Sequence, residues 1–426
     1  MTNKNALDAA TTRNAMAIIG ILFFIFGFVT WLNGPLISFV KLRFGLNDFN
    51  AFLVPSVFYV SYFFLSLPAS FILKRIGMKK GISFGLLLMS VGAAVFGQYT
   101  HSGFYGGTLS GLFIIGAGLS ILQIASNPYI SILGPIESAA SRIAFMGICN
   151  KVAGIIAPVA FGYFVLQGID KIEAMINAAP DPAAKAALLN QVADKVYVPY
   201  FVMAGLLALL AYWINSSSLP DIGDEANEQS DQAGDKKSIF QYPQLWMGAF
   251  AIFCYVGVEV LAGDAIGTYG KGFNIPSDQA KYFTAFTLAA MLIGYVLGLF
   301  LIPKYISQEK YLAFSAILGV ILSILAFSTK GYVSVAMVAA LGFANAMMWP
   351  AIFPLGIKNL GKFTETGSAI MIMGIVGGSV FSQIFAHLKD VIGFQTVFIA
   401  LTVPAYIYIL IFANTSGNAE KKANSN

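Results

Sequence analysis

QIASNPYISILGPIESAASRIAFMGICNK, residues 123–151, is the stretch on which the fold turns. Apolar sequence flanks it on both sides, yet it carries Gln123, Ser126, Asn127, Asn150 and Lys151. A polar group at membrane depth is costly, so it faces a partner, a cavity or a ligand. In the middle, Gly134-Pro135-Ile136-Glu137-Ser138 has the composition of a turn that ends one helix and starts the next. The stretch therefore predicts two membrane helices joined by a short loop, with amide side chains lining a polar cavity.

The rest of the composition agrees. Of 426 residues, 58% are hydrophobic and only 11% charged, whereas soluble domains carry about 25% charged residues. The 42 glycines and 37 phenylalanines suit closely packed membrane helices. A formal charge of +5 reports basic loops and not a nucleic-acid site. Cys149 and Cys254 both fall in apolar runs, against a disulfide framework or a zinc site. The two histidines, His101 and His387, sit near helix ends with no metal-ligand spacing. No nucleophile–base pair is visible, so neither an enzyme nor a bound cofactor is expected. The polar N-terminus runs into an apolar segment long enough to span, which predicts no cleaved signal peptide.

Twelve spans of roughly 20 residues can be placed: 14–40, 51–73, 81–99, 105–134, 142–166, 197–217, 245–272, 280–303, 310–328, 332–357, 364–387 and 393–413. The polar, acidic segment between the sixth and seventh reads as a flexible linker. This divides the chain into an N-terminal six-helix bundle (1–217), a linker (218–244), a C-terminal six-helix bundle (245–414) and a disordered tail (415–426). Residues 171–196 read as a loop with helical Ala/Leu content, in the form of a surface hairpin. With both termini inside, fifteen of the 25 Lys and Arg fall on the inner side, nine on the outer, and Lys151 lies within a span. That bias predicts cytoplasmic termini. A monomer in the lipid bilayer is expected.

The halves echo each other. Phe23-x3-Gly27 in span 1 matches Phe253-x3-Gly257 in span 7, at an offset of 230 residues. Met146-Gly147-Ile148 matches Met373-Gly374-Ile375 at 227, and Pro128 before Gly134 matches Pro350 before Gly356 at 222. The order is that of a six-plus-six duplication, with a substrate site at the midplane between repeats. The expected fold is an all-α membrane protein of two pseudo-symmetric six-helix bundles.

Several motifs also resemble a known family. Ser70-x3-Lys74-Arg75-Ile76-Gly77-Met78-Lys79-Lys80 resembles the major facilitator signature between spans 2 and 3, with Lys74 at its acidic position. With FFIFGFVTWLNGPLI (23–37), QIASNPYISILGPIESAASRI (123–143), GICNKVAG (147–154), FCYVGVEV (253–260) and FPLGIKNLG (353–361), the chain resembles the fucose:proton symporter family, within it the glucose/galactose transporter branch. The resemblance covers all twelve spans. It implies cation-coupled uptake of a hexose such as glucose, galactose, mannose or fucose across a bacterial inner membrane. The family's fucose permease has acids in spans 1 and 4 where this chain has Gly34 and Gln123. Neither can carry a proton, which turns the expectation toward sodium, with a proton carried by Glu259 or Asp264 as the alternative.

Sugar recognition needs groups that both donate and accept hydrogen bonds, and an apolar face for the ring. The amides available in spans are Asn33, Gln123, Asn127, Asn150, Asn345 and Gln383, and the aromatics near them are Trp31, Tyr129, Tyr255 and Trp349. Each amide has the alternative of bonding a neighbouring helix, and each aromatic of packing. Three ionisable groups also fall in spans. Glu259 is predicted to contact substrate or cation, or to pair with Lys151 across the interface between halves. Lys151 is predicted to donate to sugar oxygens, and Asp264 to serve coupling or the mouth of the cavity. A sodium site would draw on Asn33, Asn127, Asn150 and helix-end carbonyls. The run Lys74, Arg75, Lys79, Lys80 is expected to meet anionic headgroups or restrain a gate. A drug or metabolite antiporter is the remaining alternative, and it would want a larger, more apolar cavity.

Overall fold

A computed structural model of the chain describes residues 9–132, 139–217, 238–302 and 304–424. Most of the predicted linker lies outside the described residues, as do the turn 133–138 and the side chains of Asn127, Pro128 and Tyr129. Among the described residues, twelve helices are long and apolar enough to cross a membrane. They are span 1 (Asn14–Phe44), span 2 (Leu53–Leu73), span 3 (Met78–Ser102), span 4 (Tyr105–Ser126), span 5 (Arg142–Phe164), span 6 (Pro182–Ser216), span 7 (Pro243–Gly263), span 8 (Ser277–Leu301), span 9 (Gln308–Ser328), span 10 (Gly331–Ile357), span 11 (Thr366–Ile392) and span 12 (Phe394–Ser416). Each predicted window overlaps one of them, so the chain is a multi-pass membrane protein.

Two predicted irregular segments are helical instead. The loop before span 6 holds a short helix, Ile169–Asn177, and then becomes the first turns of one helix running Pro182–Ser216. Asp181 starts that helix by accepting from the Ala184 N–H at 2.8 Å, and Pro182 follows at the position where its missing N–H costs nothing. The segment is thus a helical hairpin, Ile169–Asn177 packed against the first turns of Pro182–Ser216, and its Ala/Leu content also extends span 6. Likewise the last helix runs Phe394–Asn424, so residues 415–424 of the expected disordered tail are helical. Ala, Glu and Lys propagate a helix that the membrane span has already nucleated.

Span 1 and span 10 are each interrupted. Helix ends at Thr30 and resumes at Asn33; it ends at Asn345 and resumes at Met348. Both gaps begin four residues before a proline, Pro35 and Pro350. Proline has no N–H for the carbonyl four residues earlier and its ring crowds that carbonyl, so Trp31 and Ala346 mark where each ladder fails.

Within the first half, spans 3 and 4, 3 and 6, 2 and 4, and 1 and 5 pack together; in the second, the repeat-related pairs 9 and 10, 9 and 12, 8 and 10, and 7 and 11 do. Spans 3 and 4 approach through glycine: a Cβ on Gly92 would lie 2.8 Å from the Gly111 carbonyl oxygen, and one on Gly118 2.4 Å from that of Gly85. The repeats seen in sequence reappear as contacts. A Cβ on Gly27 would meet the Asn150 carbonyl oxygen at 1.9 Å, and one on Gly377 would meet that of Phe253 at 1.9 Å. The halves meet where span 5 packs on span 8 and span 2 on span 11. Exposed Phe71, Phe164 and Phe300 belong to an apolar rim suited to lipid. In the signature loop, Lys79 donates to the Ser217 carbonyl at 2.7 Å, tying the loop to the end of span 6.

Candidate functional site

Between the halves lies a cavity of about 130 Å³. Span 1 supplies Phe23, Phe26, Thr30 and Trp31, span 2 Tyr59 and Tyr62, and span 4 Gln123. Span 5 supplies Gly147, Asn150 and Lys151; span 7 supplies Tyr255, Val256 and Glu259; Tyr295, Trp349 and Ile375 close the wall from spans 8, 10 and 11. The interruptions of spans 1 and 10 place Trp31 and Trp349 on this wall.

One ion pair joins the two sides. Lys151 Nζ donates to Glu259 Oε1 at 3.0 Å, with both side chains about nine-tenths buried. Trp31 lies over the ammonium, 4.5 Å from Nζ to the ring centroid. Taking two charges out of water is expensive, and the pair survives because each neutralises the other and the indole face adds a cation–π contact. Trp31 itself crosses between halves. A Cβ on Gly154 of span 5 would come 2.5 Å from its Cδ1, and one on Gly263 of span 7 2.4 Å from its Cζ3. Only glycine at those two places lets the indole sit there.

The amides have committed part of their bonding capacity. Gln123 Nε2 donates to the Tyr62 hydroxyl at 3.3 Å, and Asn150 Nδ2 to the Phe23 carbonyl at 3.4 Å. Both bonds are long, and among the described residues neither amide oxygen has a partner. Trp349 stacks on Phe353 at 5.6 Å and lies 6.5 Å from Tyr255. Donors, acceptors and aromatic faces thus share one small chamber.

Seven predicted residues meet there: Trp31, Gln123, Asn150, Lys151, Tyr255, Glu259 and Trp349. Asn33, Asn345, Gln383 and Asp264 do not line it. Asn33 is buried beyond the break in span 1, with Nδ2 unpartnered among the described residues. Asn345 Oδ1 accepts from Tyr406 of span 12 at 2.8 Å and so faces the packing of its own half. Gln383 Nε2 donates to Ser56 at 2.8 Å, joining spans 11 and 2. The predicted sodium ligands are not assembled on one wall: Asn150 lines the cavity, Asn33 does not, and the Asn127 side chain lies outside the described residues. Asp264, 2% exposed, accepts from the Tyr59 hydroxyl at 3.1 Å. Sequence reasoning missed Tyr59, Tyr62 and Tyr295. The three-residue spacing of the first two on one helical face was the available signal.

On the side of the chain away from the termini, polar contacts bind the halves. Asp48, beside span 2, pairs with Lys41 of its own half and Lys389 of the other. Burial pulls the Asp48 carboxyl up, but Lys389 and Lys41 together hold it below its ordinary value. Nearby, burial and then the charge of Lys41 push the Lys271 ammonium below its usual value. Asp170 accepts the backbone N–H groups of Ser277 and Asp278 at 3.2 and 3.0 Å, and Lys281 donates to the Leu166 carbonyl at 3.2 Å.

Residues 19–385 match the model of the Major Facilitator Superfamily. A glucose/galactose transporter of Brucella abortus is 33% identical over 401 residues, covering 93% of each chain. The L-fucose-proton symporter of Escherichia coli is 29% identical over 415 residues, covering 95% of this chain and 94% of that one. The crystal structure of the transporter FucP in the outward conformation superposes with a TM-score of 0.75 at 27% identity, covering 95% of this chain and 99% of that one. With the two bundles and the central chamber, these likenesses mean that the chain belongs to the Major Facilitator Superfamily.

Proposed function

We propose that the protein is a proton-coupled symporter that takes up a neutral hexose or deoxyhexose across a bacterial inner membrane, with both termini in the cytoplasm. The observation that carries this reading is the Lys151–Glu259 pair in a chamber that also presents two amides and a set of aromatic side chains. The pair has no net charge, so the chamber offers no counterion to a charged substrate. Its ammonium can donate to one hydroxyl while its carboxylate accepts from the next, and Gln123 and Asn150 add amide groups of both kinds. Trp31, Tyr255 and Trp349 offer apolar faces to the C–H side of a sugar ring. The named substrates of the relatives, glucose, galactose and L-fucose, have this chemistry.

A proton is favoured over sodium as the driving ion. The relative whose coupling ion is named uses a proton, and the amides expected to hold sodium do not share one wall of the chamber. The small chamber, with an ion pair and two amides on its wall, also speaks against a drug antiporter.

The test is uptake into proteoliposomes in sodium-free buffer. Labelled hexose should accumulate when the outside is made acidic and should leak away on adding an uncoupler. Gln123→Ala should weaken sugar binding roughly 5- to 150-fold, the effect of about 1–3 kcal/mol for a buried partner left unsatisfied. Accumulation that requires sodium and survives the uncoupler would overturn the coupling, and unchanged affinity in Gln123→Ala would remove that residue from the site.

A further inference from the structure

We infer that Asp264 is the carboxyl that carries the coupled proton, a step that rests on the proton-coupled reading above. Asp264 stands just past the end of span 7, 2% exposed. Its Oδ2 accepts from the Tyr59 hydroxyl at 3.1 Å; the Gly34 backbone N–H approaches the carboxyl, and Oδ1 makes no hydrogen bond of normal geometry among the described residues. A buried carboxylate with so few hydrogen bonds and no cation of its own is costly, so while the Asp48–Lys389 and Asp170 contacts hold this side shut the group keeps a proton.

The surroundings have been assembled around an acid that is not paired. From span 1 comes Gly34, whose added Cβ would lie 3.4 Å from Oδ1 and 3.2 Å from the Asp264 Cα. From span 8 comes Thr284, whose hydroxyl is spent on the Gly263 carbonyl at 2.7 Å. From span 2 comes Tyr59, which also lines the sugar chamber. The charged neighbours are Glu259, five residues earlier on the same helix, and Lys151 of span 5. They neutralise each other at 3.0 Å and leave Asp264 without a counterion. Gly34 and Asp264 differ by 230 residues, the offset that relates spans 1 and 7, so two repeat-related positions face each other where the halves meet. One side gave up its side chain and the other supplies the carboxyl.

The position also gives the carboxyl its two exposures. When the outer contacts part, the boundary between Gly34 and Asp264 opens to outside water and the carboxylate takes a proton from hydronium, releasing water. Neutral, it can be buried again as the halves close over sugar. When the chamber opens inward, water at Tyr59 receives the proton and the carboxylate is restored. Proton number and charge balance over the cycle, with one proton moved inward per closure.

The experiment uses the full chain in proteoliposomes, with galactose, glucose and L-fucose as probes. Two readouts are taken: sugar-induced alkalinisation of the medium, and counterflow, the exchange of trapped for labelled sugar with no net proton movement. Asp264→Asn, the isosteric mimic of the protonated acid, should lose at least tenfold in proton-driven accumulation and show no alkalinisation, while counterflow continues. Asp264→Glu should regain both. Accumulation with alkalinisation in Asp264→Asn would overturn the inference. So would loss of counterflow in both variants, which would make the residue structural. An unsubstituted chain that moves sugar without protons fails at the earlier step, and is told apart because the failure precedes any substitution.

Discussion

At the scale of single residues, Lys151 and Glu259 are the contact on which the chamber depends. Each is buried, and each has the other as its ion-pair partner at 3.0 Å. Removing one leaves an uncompensated charge, a loss of about 3–5 kcal/mol for buried pairs, whereas removing both leaves none. Lys151→Met and Glu259→Gln should each lower the thermal unfolding midpoint in detergent, and the double variant should recover most of that loss. It should not recover sugar binding, because both bonding groups are gone. Additive losses in the double variant would show that the pair is not coupled. The sequence announced this pair as one of two alternatives for Glu259, because an ionisable residue in a span demands a partner. It was less informative about amides. Asn33, Asn345 and Gln383 obey the same rule as Gln123 and Asn150, yet structure turns Asn345 and Gln383 to other helices and buries Asn33 away from the chamber. A polar side chain in a span states that it needs a partner, and only helix rotation decides which. Tyr59 and Tyr62 went unnoticed for the opposite reason: tyrosine in a span is satisfied by packing, so its presence asks no question.

At the scale of elements, the interruptions of spans 1 and 10 do the positioning. Pro35 and Pro350 each break the ladder one turn earlier, and the two tryptophans that line the chamber sit beside the breaks. Proline in a helix interior costs about 3 kcal/mol relative to alanine. Pro35→Ala restores an N–H for the Trp31 carbonyl, so it should heal span 1 and keep or raise stability. It should also swing Trp31 off Lys151 and weaken sugar affinity about tenfold. Equilibrium binding alongside the unfolding midpoint checks this, and a variant that loses stability but binds normally would count against a positioning role for the break. These breaks were legible as Gly-Pro and Trp-Pro pairs. The long first turns of span 6 were not, because Ala/Leu-rich sequence after a capping Asp181 serves a loop helix and a span extension equally well. The repeat offsets were the most informative local signal. Gly27 against Asn150 and Phe253 against Gly377 are the same pair of elements in contact, with glycine on opposite partners.

At the scale of the whole molecule, the fold is two bundles held together by few polar links, and most of those described lie on the side away from the termini, the outer side in the proposed orientation. There Lys41, Asp48 and Lys389 form a three-charge group that spans the halves, with Asp48 and Lys389 mostly buried. A partly buried pair of this kind is worth about 1 kcal/mol, or roughly a fivefold change in the balance between outer-closed and outer-open forms. Asp48→Asn should shift that balance toward outer opening, read as faster labelling of a cysteine placed at Ser38. The pH behaviour separates this latch from the coupling acid. Because the Asp48 carboxyl is held below its ordinary value of about 3.9, its contribution is complete above that value and is lost only as pH falls through the lowered one. Between pH 5 and 8 the effect of Asp48→Asn should therefore be constant. Any pH dependence of outer opening in that range must come from another group, and it should vanish in Asp264→Asn while persisting in Asp48→Asn. Labelling rates that follow pH in the first variant and not in the second would reverse the two roles.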